Sequence, residues 1–130
     1  MAGKTDRFIV RPKIVGEIPY HEMTRANQEI GPSYNYMDQS LVPEADMVIH
    51  IREIKHVPPG FKPYVEPHQH EVSSLYGIVG ELTVEVTLDD ERHEVTGPAS
   101  VFIPPGMMHS IRPLRGKGQM IIMLRRGNYK

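Results

Sequence analysis

The sequence contains no cysteine among its 130 residues. This absence excludes a disulfide framework, a thiolate zinc site and an iron–sulfur cluster, so any bound metal must take nitrogen or oxygen ligands. A long hydrophobic run is also missing, because the longest aliphatic stretch, residues 120–124, is far shorter than the roughly 18 apolar residues that span a bilayer. The N-terminal residues show no apolar signal-peptide region. We therefore expect a cytoplasmic protein without a membrane segment.

The residues that are present favour a small all-β domain. The chain is long enough to bury a core without disulfides, and 39% of its residues are hydrophobic. Twelve prolines and 11 glycines divide it into short segments, which is typical of all-β folds and argues against long helices. The seven histidines supply both the commonest metal ligand and an acid or base that titrates near neutral pH.

Charge is balanced in total but uneven along the chain. Fifteen basic and 16 acidic residues give a formal net charge of -1, yet every acid lies between Asp6 and Glu94 and the residues that follow carry only basic charge. We interpret the acidic residues around 81–94 as a hairpin that lies beside basic strands of the same sheet. Nucleic-acid binding is the alternative, but no aromatic platform or binding motif supports it, so we do not expect it.

Residues 1–44 are predicted to form an N-terminal extension with little regular structure, because four prolines interrupt them. One short helix is expected over residues 21–30, which Gly31 and Pro32 would end. The apolar side chains that follow need a protein surface to pack against. They are Tyr34, Tyr36, Met37 and Leu41. We therefore predict a homodimer in which this extension packs across the partner's barrel.

From residue 45 onward the pattern predicts strands. Residues 82–88 alternate between apolar and polar side chains, which is the period-2 signature of a strand with one buried face. Further strands are expected over residues 47–54, 74–79, 92–96, 100–103, 109–112 and 119–125. Short strands separated by turn signals, with no crossover helices, indicate an antiparallel sandwich or barrel over residues 45–130.

Three histidines have the spacing of a metal site. His68 and His70 flank Gln69, and residues i and i+2 of an extended segment point to the same side, so both imidazoles can share one ion. Glu71 points away by the same alternation. His109 follows a rigid proline–glycine turn that would hold a third imidazole in place. Three imidazoles from two separate strands make an open metal site.

These motifs resemble those of the cupins, a family of small β-barrels of the double-stranded β-helix type. The first cupin motif, built around HxH and a closing glycine, matches at His68, His70 and Gly80, and the second matches at Gly97, Pro104, Gly106 and His109. The motifs cover residues 60–113, and the strands around them extend the match to about 45–127. The resemblance implies an all-β, cupin-like double-stranded β-helix (jelly-roll) barrel that follows the N-terminal extension.

The chain departs from the cupin pattern at two positions. Where the family has its metal-binding glutamate, the two ways of counting give Ser73 and Ser74, and Pro113 stands at the asparagine position. The resemblance therefore implies the three-histidine site of some cupin dioxygenases and related lyases, with Fe(II) as the favoured divalent metal and nickel, zinc, manganese or copper as alternatives. Three neutral imidazoles leave the full charge on the ion, which favours anionic or chelating oxygen ligands.

Other side chains are candidates for the wall of a substrate pocket. They are His50, Arg52, Ser73, Ser74, Tyr76, Phe102 and Met107. His50 and Arg52 share one face of the first strand of the barrel, but a solvated polar face, or a histidine satisfied by the neighbouring strand, explains them as well. The serines would hydrogen-bond a metal-bound water, and core packing explains the aromatic residues and Met107 equally well.

Three hypotheses from different classes follow. The first is a metal-dependent cupin enzyme, dioxygenase-like or with related lyase chemistry, that acts on a small anionic or chelating substrate through His68, His70 and His109. The alternative is a non-catalytic cupin that binds a small molecule and acts as a sensor. A third hypothesis is a sugar isomerase or epimerase of the same fold in which a histidine base works without metal.

Overall fold

The computed structural model describes residues 3–16, 23–61 and 67–129. These residues contain a short 3-10 helix (Asp6–Phe8), one α-helix and nine strands. The elements are β1 (Lys13–Ile14), α1 (Met23–Glu29), β2 (Ser33–Met37), β3 (Val48–Ile54), β4 (Ser74–Val79), β5 (Leu82–Leu88), β6 (Glu91–Thr96), β7 (Ala99–Ile103), β8 (His109–Gly116) and β9 (Gly118–Leu124). Among the described residues, no helix has the length and apolar character that a membrane span requires.

The strands form two sheets in which all neighbours are antiparallel. One sheet has six strands in the order β1-β2-β3-β9-β4-β7, and the other has three strands in the order β6-β5-β8. Apolar residues of both sheets belong to one buried cluster, including Ile78 and Met120 from the first sheet and Val84 and Ile111 from the second. The sheets therefore pack face to face around a shared core, as in a jelly-roll barrel.

The alternation of side chains explains which face of each strand is buried. In β5 the side chains of Leu82, Val84 and Val86 are completely buried, and burial of each side chain of this kind stabilises the fold by about 1.5–3 kcal/mol. The same alternation in β3 turns His50 and Arg52 towards the interior. The barrel interior therefore contains polar groups beside its apolar core.

A glycine turn carries the chain from the small sheet into the large one. Gly116 ends β8 with φ +96° and Gly118 begins β9 with φ +157°. A Cβ at Gly116 would overlap the carbonyl oxygen of Glu81, and a Cβ at Gly118 would overlap that of Val79. Glycine is required at both positions because the two backbones approach too closely for a side chain and both residues have positive φ.

The part of the chain before residue 45 is more regular than predicted. β2 pairs with β3, with Ser33 opposite Arg52 and Tyr34 opposite Ile51, so the expectation of little regular structure is wrong for this segment. The predicted helix over residues 21–30 corresponds to α1, and residues 21 and 22 lie outside the described part of the chain. The division into an extension of 1–44 and a barrel of 45–130 stays a prediction.

The acidic hairpin and the basic strand lie in the same sheet, as predicted. β5 pairs with β6 on one side and with β8 on the other. Arg112 Nε lies 3.1 Å from Glu85 Oε1, and Arg115 Nη1 lies 3.2 Å from Glu94 Oε1. Cross-strand ion pairs therefore use part of the basic charge that the sequence concentrates near its C-terminus.

Candidate metal centre

Backbone hydrogen bonds bring the two histidine motifs together. The N–H of His68 donates to the carbonyl oxygen of His109 at 3.1 Å, and the N–H of His109 donates back to that of His68 at 2.8 Å. The N–H of Gly106 donates to the carbonyl oxygen of His70 at 2.8 Å. The proline–glycine turn that precedes β8 is therefore fixed against the HxH segment.

The three imidazoles converge on one point inside the barrel. One ring nitrogen from each of His68, His70 and His109 lies within 4.8 Å of the other two. The residues are 4%, 4% and 2% exposed. Nitrogens that share an ion at about 2.1 Å lie at most about 4.2 Å apart, so small side-chain movements bring all three into bonding range. The three-histidine group fits a divalent metal.

A backbone contact orients the ring of His109. Its Nδ1 lies 2.9 Å from the carbonyl oxygen of Met107. Because a carbonyl oxygen only accepts, Nδ1 must carry the proton, which leaves Nε2 with a free electron pair for a metal. Burial, followed by the nearby charges of His68 and His70, lowers the pKa of His109 to about 4, although the Met107 carbonyl raises it. The ring is therefore neutral at physiological pH, as metal binding requires.

No carboxylate joins these histidines among the described residues. Glu71 is exposed, as the alternation predicts, and Ser74 is buried. The hydroxyl of Ser74 has no hydrogen-bond partner within the described part of the chain. The residues at and near the expected glutamate position therefore supply at most a neutral hydroxyl.

A residue that the sequence did not indicate, Tyr129, lies beside the histidines. Its hydroxyl is 3.4 Å from His68 Nε2, and its ring meets that of His70 edge-on at 5.4 Å. The ring also stacks on His50, with centroids 5.8 Å apart and planes 8° from parallel. Tyr129 stands outside both cupin motifs and outside any predicted strand, so no local pattern marks it.

Two of the predicted pocket residues accompany this group. His50 is 5% exposed, and burial lowers its pKa, so it is uncharged at neutral pH. Tyr76 is 4% exposed and its ring centroid lies 5.9 Å from that of His109. Burial, and then the proximity of Tyr129, raises the pKa of Tyr76, so its hydroxyl stays protonated. Met107 contributes the carbonyl described above, and its side chain packs against the core.

The remaining predicted pocket residues lie elsewhere. Arg52 donates from Nη1 to the carbonyl oxygen of Gly31 at 2.7 Å and to Asn27 Oδ1 at 2.9 Å, so it ties α1 to the large sheet. Phe102 is 65% exposed on the outer surface of that sheet. Ser73 lines the same outer groove as Phe102. The structure does not bring Phe102 or Ser73 together with the histidines.

That outer groove has a volume of about 750 Å³. Its lining is mainly apolar and combines residues of the predicted extension with residues of the barrel strands: Tyr36, Met37, Asp46, Met47, Ile49, Ser73, Ser74, Leu75, Phe102, Met123, Leu124 and Arg125. An exposed apolar surface of this kind is typical of an interaction site.

Comparison with solved structures identifies the fold. Oxalate decarboxylase from Bacillus subtilis matches with a TM-score of 0.62 and 16% sequence identity, over 92% of this chain and 28% of that chain. A second oxalate decarboxylase structure has a TM-score of 0.59 and 18% identity, over 78% of this chain and 27% of that one. KdgF from Halomonas sp. has a TM-score of 0.58 and 15% identity, over 91% of this chain and 88% of that one.

These similar proteins are cupins, and the all-β structure with its three-histidine group has the cupin fold. The chain spans only 28% of the length of the oxalate decarboxylase chain, and at such low identity the likeness establishes the fold and not the activity. No family model matches the sequence, and no curated protein matches it.

Proposed function

We propose that this chain, which has the cupin fold, is a metal-dependent enzyme that acts on a small anionic or chelating substrate by dioxygenase-like or related lyase chemistry. The observation that carries the proposal is the convergence of three buried imidazoles, from His68, His70 and His109, within 4.8 Å. Burial of three histidines that lie close enough to share an ion is costly if they serve only as packing, since buried polar groups cost free energy that apolar side chains in the same place would not.

Fe(II) is the metal that we favour. Imidazole ligands suit iron, nickel, copper and zinc, and one of the similar oxalate decarboxylase structures describes Mn(II) centres. A bound ion would polarise substrate oxygens and, if it is iron, activate dioxygen. The protein contributes the ligand geometry, the neutral state of His109 and a site from which bulk water is largely excluded.

The charge of the site supports an anionic substrate. Neutral imidazoles do not reduce the charge of a divalent ion, and the described residues add no carboxylate to them. An enolate, a 2-oxo acid or a catechol would supply the oxygens that such an ion attracts. His50 and Tyr76 are uncharged neighbours, so they are suited to hydrogen bonding and shape selection.

One observation favours a non-catalytic sensor as the second candidate. Within the described residues, no carboxylate belongs to the histidine group, and Arg52 is engaged with α1, so the groups beside the histidines that could act as a general acid or base are His50, Tyr76 and Tyr129. A cupin of this kind would bind a small molecule in the barrel and transmit the binding signal through its dimer.

A homodimer is part of the proposal. The outer groove of the large sheet is lined by Tyr36 and Met37 of the predicted extension together with Phe102, and Phe102 is 65% exposed in the single chain. A second copy of the same surface would cover these side chains. Light scattering should give twice the mass of the chain. A cytoplasmic location is a further prediction that fractionation would test.

Metal content tests the central part of the proposal. Protein purified without an affinity tag should contain about one divalent ion per chain by elemental analysis, and His70→Ala should contain almost none. His93→Ala is the matched control, because His93 is a surface histidine beside Glu91, and it should keep the metal. Equal metal content in both variants would contradict the assignment.

Substrate chemistry is tested on the loaded protein. Fe(II) is added without oxygen, followed by panels of diketones, 2-oxo acids and catechols, while charge-transfer absorption and then oxygen uptake are recorded. Turnover of any of these compounds, lost in His70→Ala and kept in His93→Ala, supports the enzyme. Binding of a compound without any turnover supports the sensor.

A further inference from the structure

The C-terminal residues form a strap that is fastened to the rest of the fold. The N–H of Gln39 donates to the carbonyl oxygen of Gly127 at 2.8 Å, and Asn128 Nδ2 lies 3.4 Å from Gln39 Oε1. The N–H of Arg125 donates to the carbonyl oxygen of Ser73 at 3.1 Å. This strap, residues 125–129, is therefore held both by the loop between β2 and β3 and by the residue that precedes β4.

Gly127 fits this position because of the space around it. A Cβ there would overlap the carbonyl oxygen of Ala45 and the side chain of Gln39. Any larger residue would push the strap away from the loop. The fastening of the strap at Gly127 and Asn128 in turn fixes where the next residue, Tyr129, enters the barrel.

Three histidines surround the side chain of Tyr129. Its ring stacks on His50 and meets His70 edge-on, and its hydroxyl lies 3.4 Å from His68 Nε2. A metal held by the histidines lies about 2.1 Å from each coordinating nitrogen. Two ligands that bind one ion tetrahedrally at this distance lie about 3.4 Å from each other, so with Nε2 as the coordinating nitrogen of His68, the Tyr129 hydroxyl has the spacing of a neighbouring ligand.

We infer that Tyr129 is the fourth protein ligand of the metal centre, an oxygen donor in place of the carboxylate that the cupin pattern expects. The inference rests on the proposed metal binding by His68, His70 and His109. On binding, the phenolic O–H bond breaks, the proton passes to solvent and an oxygen electron pair forms the bond to the ion, with no change in oxidation state. A divalent ion then keeps one uncancelled positive charge, which still attracts an anionic substrate.

A spectroscopic test separates this role from a structural one. A tyrosinate bound to Fe(III) absorbs visible light through ligand-to-metal charge transfer, which imidazole ligands alone do not provide. The protein is loaded with one equivalent of Fe(III), and the wild type should show this band. Tyr129→Phe should lose the band, since it keeps the stacked ring and removes only the oxygen, and its affinity for Zn(II) in a chelator competition should fall at least about tenfold.

Two further variants complete the design. Tyr76→Phe is the matched control, because Tyr76 also lies beside His109, and it should keep the band. Gly127→Ala keeps every proposed ligand residue but displaces the strap that carries Tyr129, so it should weaken the band. Circular dichroism checks that each variant keeps its sheet content.

The outcomes distinguish this inference from the proposed function. A stoichiometric iron complex without the band, or a band that survives in Tyr129→Phe, overturns the role of Tyr129 while the three-histidine site stands. If the band is lost in Tyr76→Phe and kept in Tyr129→Phe, the oxygen donor is Tyr76, and the inferred role of Tyr129 is overturned. Failure of the wild type to bind either ion overturns the proposed metal site itself.

Discussion

Acidification of the metal-free protein should reduce its free energy of unfolding between about pH 6.5 and pH 4. The folded state holds the pKa of His109 at about 4, against 6.5 for the unperturbed side chain. Above pH 6.5 the ring is neutral in both states and contributes no pH dependence. Below pH 6.5 the unfolded chain binds the proton first, so stability falls with pH until the folded ring also titrates.

The size of this effect follows from the shift. Each pH unit between the two pKa values corresponds to 1.36 kcal/mol, so a shift from 6.5 to about 4 allows a loss of at most about 3 kcal/mol. We expect a loss of about 2 kcal/mol, because relaxation and water penetration around a protonated ring reduce the cost of burying its charge. Burial lowers the pKa of His50 as well, so any contribution from His50 has the same sign.

Urea unfolding at several pH values measures the effect. The chain has six tyrosines and no tryptophan, so tyrosine fluorescence and circular dichroism are the signals. Carboxylates also lose their favourable interactions at low pH, so the informative quantity is the difference between the wild type and His109→Gln. The variant should lack about 2 kcal/mol of the pH dependence. Identical pH profiles for the two proteins would refute the assignment of the shift to His109.

Three further predictions concern the rest of the molecule. Ile78→Ala should lower the free energy of unfolding, measured with urea, by about 3 kcal/mol, because Ile78 is 1% exposed. Val79 is 44% exposed, so Val79→Ala should change the free energy of unfolding by less than about 0.5 kcal/mol. Phe102→Glu should convert the dimer into a folded monomer by light scattering, and a dimer that persists would place the interface elsewhere. Arg112→Ala should lower the free energy of unfolding by less than about 1 kcal/mol, since the contact of Arg112 with Glu85 is only partly buried. A larger loss would show that this ion pair contributes more to stability than its partial burial predicts.

Several strands of the barrel were predictable from sequence. β5 lies at the predicted residues 82–88, because its apolar and polar side chains alternate. β4 lies at the predicted residues 74–79, where a short run of mostly apolar residues ends at Gly80. β8 extends beyond its predicted end at residue 112, through Pro113 to Gly116. Among the described residues, Pro113 is paired only with β5, and the register of that pair shifts between Thr83 and Val84. A strand with an irregular register at this point does not need the N–H that proline lacks.

β2 could not be predicted with the same rules. Ser33–Met37 is short and follows Pro32, and its strand character depends on pairing with β3, which is distant in sequence. The aromatic residues in this segment indicate only that a partner surface is needed. Local patterns do not identify which strand edge supplies that surface, because pairing between distant segments is decided by the whole fold.

The candidate site divides in the same way. The positions of His68, His70 and His109 were predictable, because the period of an extended chain and a rigid turn are local properties. The position of Tyr129 was not predictable, since it depends on the contacts of the strap with Gln39 and Ser73, which no local pattern indicates. Phe102 illustrates the converse, because an apolar residue next to the barrel motifs can face outward, and here it is 65% exposed.

The most direct test of the central claim is anomalous scattering from crystals grown with a divalent metal, measured on both sides of the absorption edge of that metal. The account predicts one strong anomalous peak per chain, about 2.0–2.2 Å from a ring nitrogen of each of His68, His70 and His109. A barrel interior without such a peak at full metal loading, or a peak coordinated by Glu71 in place of one of these histidines, would contradict it.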